Sequence, residues 1–99
     1  MVTYEKVLEV FKEYLEEDTN CEVACTSRGY VVMFWDDRQE RWYDIETAPT
    51  PEALRDVLLD HYSGYLIYKM TEKWKHDKPT EQDNLEIAEK CRALWERCQ

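Results

Sequence analysis

Glycine occurs only twice in the 99 residues, at Gly29 and Gly64, so the chain has no glycine-rich loop of the kind that cradles a phosphate. Nor does any window approach the roughly 18 apolar residues that a membrane span needs. The longest apolar run is six residues, Tyr30-Val31-Val32-Met33-Phe34-Trp35. Positive charge is scarce as well: 13 Lys and Arg stand against 22 Asp and Glu, a formal net charge of −9. Such a surface repels phosphate backbones and anionic membranes, which argues against direct nucleic-acid binding and against membrane binding. The segment Met1-Val2-Thr3-Tyr4-Glu5-Lys6 has neither a basic n-region nor a continuous apolar stretch, so no secretory signal is expected there. A cytoplasmic, reducing location follows as the expectation. In it the four cysteines, Cys21, Cys25, Cys91 and Cys98, are expected as thiols.

What is present is enough for a core. Hydrophobic residues make up 43% of the chain and aromatics 13%, too much apolar material for a disordered segment despite the polar remainder. The length fits one domain over residues 1–99 that buries about two thirds of its unfolded surface. No internal repeat, low-complexity tract or linker divides it.

The six-residue apolar run, with Gly29 before it and Asp36-Asp37 after it, reads as a strand apolar and buried on both faces, and the rest of the chain is organised around it. Before it, Tyr4, Val7, Leu8, Phe11, Tyr14 and Leu15 fall at helical spacing from a Thr3 cap to about Glu17. Acids crowd the C-terminal end of that helix, where the dipole is negative. Cys21 to Thr26 alternates as a first strand, and Ser27-Arg28-Gly29 turns the chain back, with glycine free to take a positive φ. Arg41-Trp42-Tyr43-Asp44-Ile45 reads as a third strand and 46–49 as a connector. Thr50-Pro51-Glu52 is a strong helix start, followed by a stripe through Leu54, Val57, Leu58, His61, Tyr62, Tyr65, Leu66 and Met70. Ser63-Gly64 interrupts that long second helix, which is expected to kink or split there. Lys69, Lys73, Lys75, His76 and Lys78 then put positive charge at its end. Thr80 and Asp83 resemble a capping box for a last helix carrying Leu85, Ala88, Cys91, Leu94 or Trp95, and Cys98 on one side.

The fold class is therefore α+β, in the order α-β-β-β-α-α: a three-stranded antiparallel meander packed by helices. The first five elements share the order of a double-stranded-RNA-binding domain. The residues argue against that function, because the second helix opens with Thr50-Pro51-Glu52-Ala53-Leu54-Arg55-Asp56 where such a domain needs lysines to grip phosphates.

No constellation makes a convincing catalytic or metal site. Cys21 and Cys25 within one strand set their sulfurs about 13 Å apart at about 3.3 Å per residue, too far for one tetrahedral ion, so the cysteines read as buried apolar thiols. Asp60 beside His61 could orient a base, but nothing nominates a nucleophile, and His61 reads as a core or boundary histidine bonded locally. Asp36, Asp37, Glu40 and Asp44 lack a calcium-loop pattern and read as a solvated hairpin. The expectation leans to a non-enzyme, with no cofactor and no metal.

The strongest functional clue is the central strand. Helices on one side of three strands leave the opposite face open. An aromatic patch there marks an interface, and Met33, Trp35, Trp42, Tyr43 and Trp95 are the candidate contact residues. The expected function is protein–protein contact, with a protein partner or, most economically, with itself as a homodimer. The alternative is an acidic protein that mimics a nucleic-acid backbone and blocks a DNA- or RNA-binding protein. It rests on the acidic corner Glu13, Glu16, Glu17, Asp18 and Glu22.

Overall fold

The central apolar run forms β2 (Gly29–Asp36) in a computed structural model that describes residues 1–71 and 78–99. It lies between β1 (Cys21–Thr26) and β3 (Arg41–Ala48), both antiparallel to it, in the order β1-β2-β3. The chain is mixed α+β in the expected element order. Cross-strand partners share a face, so the register sorts the side chains. Cys21, Val23 and Cys25 pair with Phe34, Val32 and Tyr30 on one face, while Glu22 and Ala24 pair with Met33 and Val31 on the other.

The first face meets the helices. Val32 is fully buried, with Tyr30, Phe34 and Val23 packed around it against Val7, Phe11, Leu54 and Leu58. The long helix α3 (Pro51–Met70) crosses β2 and β3, carries Leu54 and Leu58 into this core, and buries Leu66 nearer its end. Its start is fixed as the sequence predicts: the Thr50 hydroxyl accepts from the Ala53 amide at 3.1 Å, with Pro51 in the first turn. Ser63-Gly64 does not split it. One glycine costs a helix only about 1 kcal/mol, and packing along the remaining turns outweighs that.

The N-terminal helix differs from expectation. It is two pieces, α1 (Tyr4–Val10) and α2 (Lys12–Glu17), parted at Phe11, whose φ of −92° and ψ of 7° leave the helical region. The hydrogen-bond ladder still bridges the break, Phe11 amide to Val7 carbonyl and Leu15 amide to Phe11 carbonyl, each 3.0 Å. A one-residue departure that keeps the ladder does not disturb the apolar spacing, so periodicity cannot reveal it. The last helix, α4 (Glu81–Arg97), opens on a complete capping box between Thr80 and Asp83 and packs against α3. Its inward residues are Ile87, Leu94 and Cys98, whereas Leu85 is exposed. The stripe read in the sequence thus holds at Cys91, Leu94 and Cys98 and differs at its start, where Ile87 is buried while Leu85 and Ala88 are exposed. Lys73, Lys75 and His76, expected to end the second helix, lie outside the described residues.

The third strand is longer than expected and continues through 46–48 to Ala48, which is fully buried. Between Val32 and Phe34 its register shifts: Phe34 pairs with Tyr43 and Val32 with Glu46, so Asp44 and Ile45 together oppose Met33. Asp44 takes φ 54°, the left-handed conformation found at the first residue of one class of bulge. The thin dimension of the molecule, 18 Å, is that of two layers.

Candidate functional site

Two places concentrate side chains that the core does not use. The first is the outer face of the sheet. Val31, Met33 and Trp35 of β2 alternate with the core residues and stand outside the core cluster, half-buried by their neighbours. Trp42 pairs with Trp35, their rings edge to face at 5.0 Å between centroids. Ile45, put on this side by the bulge, is 59% exposed and Trp42 is 42% exposed. Among the described residues the helices pack on the other side of the sheet: α3 crosses β2 and β3 there, and Val7 of α1 and Phe11 join the core around Val32.

Three of the expected contact residues, Met33, Trp35 and Trp42, therefore meet on one face. Tyr43 goes elsewhere: it pairs with Phe34 on the helical side, 5.9 Å between ring centroids. Trp95 belongs to the helical layer on α4, where the Arg55 guanidinium lies 5.1 Å from its ring centroid. Ile45 was missed, because its outward side depends on the bulge rather than on alternation.

The acidic corner is partly spoken for. Glu17 is bonded to Lys69 of α3 at 2.8 Å, and that hydrogen bond holds its carboxyl below the usual carboxylate range. Positive charge for the end of α2 thus comes from the same chain. Asp18 accepts the Tyr14 hydroxyl at 2.8 Å. Glu13, Glu16 and Glu22 are exposed, and Glu22 sits on the outer sheet face opposite Met33.

The second place is a cleft of about 930 Å³ on the helical side, between β3 and the middle of α3. Phe34 forms part of its wall, with the His61 ring edge-on at 4.8 Å. His61 Nε2 lies 2.9 Å from Glu46 Oε1, and the histidine side chain is only 12% exposed. Asp44 joins them: one ligand atom from each of Asp44, Glu46 and His61 falls within 4.8 Å of the others. Asp60, Ser63 and Tyr65 also line this space. The partner of His61 is thus Glu46, fifteen residues earlier and on another element, where the sequence suggested a local bond. Asp44 belongs to this group and not to the hairpin acids around Asp36.

Comparison with known proteins supplies no relative: no family model, no curated protein and no solved structure matches the chain.

The cysteines form no cluster. Cys21 and Cys98 are buried, Cys91 is half-buried and Cys25 is exposed at the outer edge of β1, so the expectation of buried thiols holds for only part of the set. Cys25 sits in a strand at the edge of the sheet, paired on one side only. All four are free thiols. Burial pushes the Cys21 thiol up to about 11. No described helix is long and apolar enough to cross a membrane.

Proposed function

We propose that the protein acts through protein–protein contact, as a non-enzymatic homodimer joined through the outer face of its sheet in a reducing, cytoplasmic setting. The observation that carries this reading is the apolar surface of Val31, Met33, Trp35, Trp42 and Ile45, over which no described helix is laid. Aromatic and apolar side chains left half-buried or exposed together on one sheet face are the composition of an interface centre. A second copy presents the same face, so one two-fold axis covers both at once. The acidic corner supports the nucleic-acid-mimic alternative less, since Glu17 and Asp18 are engaged within the chain.

Charge sets a distinctive signature. Two chains of −9 repel, and added salt screens that repulsion while leaving apolar burial intact. Self-association therefore strengthens as salt is raised, whereas binding to a basic partner weakens. Sedimentation equilibrium at high micromolar protein should give a dimer whose dissociation constant falls with salt. Ile45→Lys, a change at an exposed position that leaves the core untouched, should give a monomer. A wild-type chain that stays monomeric throughout, or an Ile45→Lys variant that dimerises equally well, would overturn the proposal.

A further inference from the structure

The Asp44, Glu46 and His61 side chains converge from two elements that are distant in sequence. β3 supplies the two carboxylates, α3 supplies the imidazole, and Phe34 backs the ring from the neighbouring strand. The bulge sets this arrangement. Tyr43 and Glu46 differ by an odd number of residues and would face opposite ways in a regular strand. The inserted residue, Asp44 at φ 54°, lets both face the helices and puts its own carboxylate at the rim of the same cleft.

We infer that Asp44, Glu46 and His61 form a binding site for a divalent transition-metal cation of the zinc class. The donor set is one imidazole nitrogen with two carboxylate oxygens, the hard-to-borderline mixture that suits zinc and its neighbours rather than calcium, which takes oxygen alone. The spacing also fits. Ligands held about 2.1 Å from an ion sit about 3.0 to 3.4 Å from one another. The 2.9 Å between His61 Nε2 and Glu46 Oε1 falls just short of that edge length, and a ligand atom of Asp44 lies within 4.8 Å of both, so the three donors are near enough to close on one ion with a small adjustment. The ion replaces the proton shared between His61 and Glu46. It also relieves the repulsion of two neighbouring carboxylates, which a histidine hydrogen bond offsets on one side only. With three protein ligands, the remaining coordination position faces the cleft of about 930 Å³ and is left to water or a small anion, the pattern of open sites rather than closed structural ones.

The test is calorimetric titration of Zn²⁺ into the chelator-stripped full chain at fixed pH, under a non-thiol reductant and physiological salt, with Co²⁺ absorption as a second readout. The expected result is one ion per chain. His61→Ala, Glu46→Gln and Asp44→Asn should each weaken binding at least tenfold, since even outer partners of a metal ligand are worth about 10- to 100-fold. Asn tolerates the left-handed backbone at position 44, so Asp44→Asn tests the site without disturbing the bulge. Asp37→Asn, an exposed acid in the β2–β3 hairpin, should change nothing and separates the site from diffuse attraction to an acidic surface. The Co²⁺ form should lack the ultraviolet band of thiolate ligation. Failure to bind, binding that survives all three site changes, or a thiolate band marking the cysteines as ligands would each overturn the assignment. None of these outcomes bears on dimerisation, which uses the other face of the sheet.

Discussion

The two glycines should respond in opposite directions to the same added methyl group. At Gly64, in the middle of α3, a Cβ meets nothing within 4 Å, so only helix propensity and backbone entropy act. Alanine is favoured there by about 0.5–1 kcal/mol. At Gly29, φ is +107° and the Cβ would lie 2.9 Å from the Ala48 carbonyl oxygen and 3.0 Å from the Pro49 Cα. Both obstacles are backbone atoms at the end of β3 and cannot swing aside. Left-handed strain alone costs about 1–3 kcal/mol, and the clash adds to it, so Gly29→Ala should lose at least about 2 kcal/mol. For a domain of this size 1 kcal/mol is worth about 4–8 °C in Tm. The two variants should therefore bracket the wild type, Gly64→Ala a few degrees above it and Gly29→Ala at least about 8 °C below. Thermal unfolding by circular dichroism at low micromolar protein keeps mass action from the proposed dimerisation out of the comparison. A destabilised Gly64→Ala would mean that α3 packs against something at that turn. An unperturbed Gly29→Ala would mean that the first hairpin does not turn as described.

Two further outcomes follow from the thiols. Cys25 is exposed and Cys91 half-buried, while Cys21 and Cys98 are buried, so a thiol reagent should modify Cys25 first and reach Cys21 and Cys98 only on unfolding. Peptide mapping after timed labelling checks the order, and early labelling of Cys21 or Cys98 would contradict the packing. Burial holds the Cys21 thiol at about 11, above about 8.5 when unfolded, and the Tyr14 phenol is raised in the same sense by burial and by its bond to Asp18. Both groups favour the fold in their protonated forms. Their contribution is complete below about pH 8.5 and is lost as the pH rises toward 11, because the unfolded chain gives up those protons first. Denaturant midpoints should fall across that window, with a shallower fall in Cys21→Ala; a flat profile in the wild type would refute it.

Local chemistry was legible in the sequence wherever one residue type settles the matter over a few positions. Thr3, Thr50 with Pro51, and Thr80 with Asp83 cap their helices as read, because each satisfies an amide only three residues away. The span of β1 and the turn at Gly29 were equally readable, from alternation and from the positive φ that only glycine takes cheaply. The break at Phe11 was hidden because it preserves the ladder, and the start of the inward line of α4 because the side of a helix that packs depends on where its neighbour lies. Ile87, not Leu85, faces α3 for that reason.

The functional surfaces were harder to read, and for one shared reason. Alternation along Arg41–Ile45 sends Trp42 outward and Tyr43 inward, as found, but would turn Ile45 inward and Glu46 outward, since the bulge changes the parity of the strand after Tyr43. Nothing in Tyr43-Asp44-Ile45 announces that change beyond an aspartate, a residue that tolerates the left-handed region better than most. Yet the one inserted residue does two things at once. It sends Ile45 outward to extend the Met33, Trp35 and Trp42 surface, and it turns Glu46 inward to His61 with Asp44 beside it. The apolar face and the carboxylate–histidine cleft are therefore opposite sides of the same irregularity in β3. Regularising that strand would disturb both, while a side-chain substitution on either side leaves the other in place.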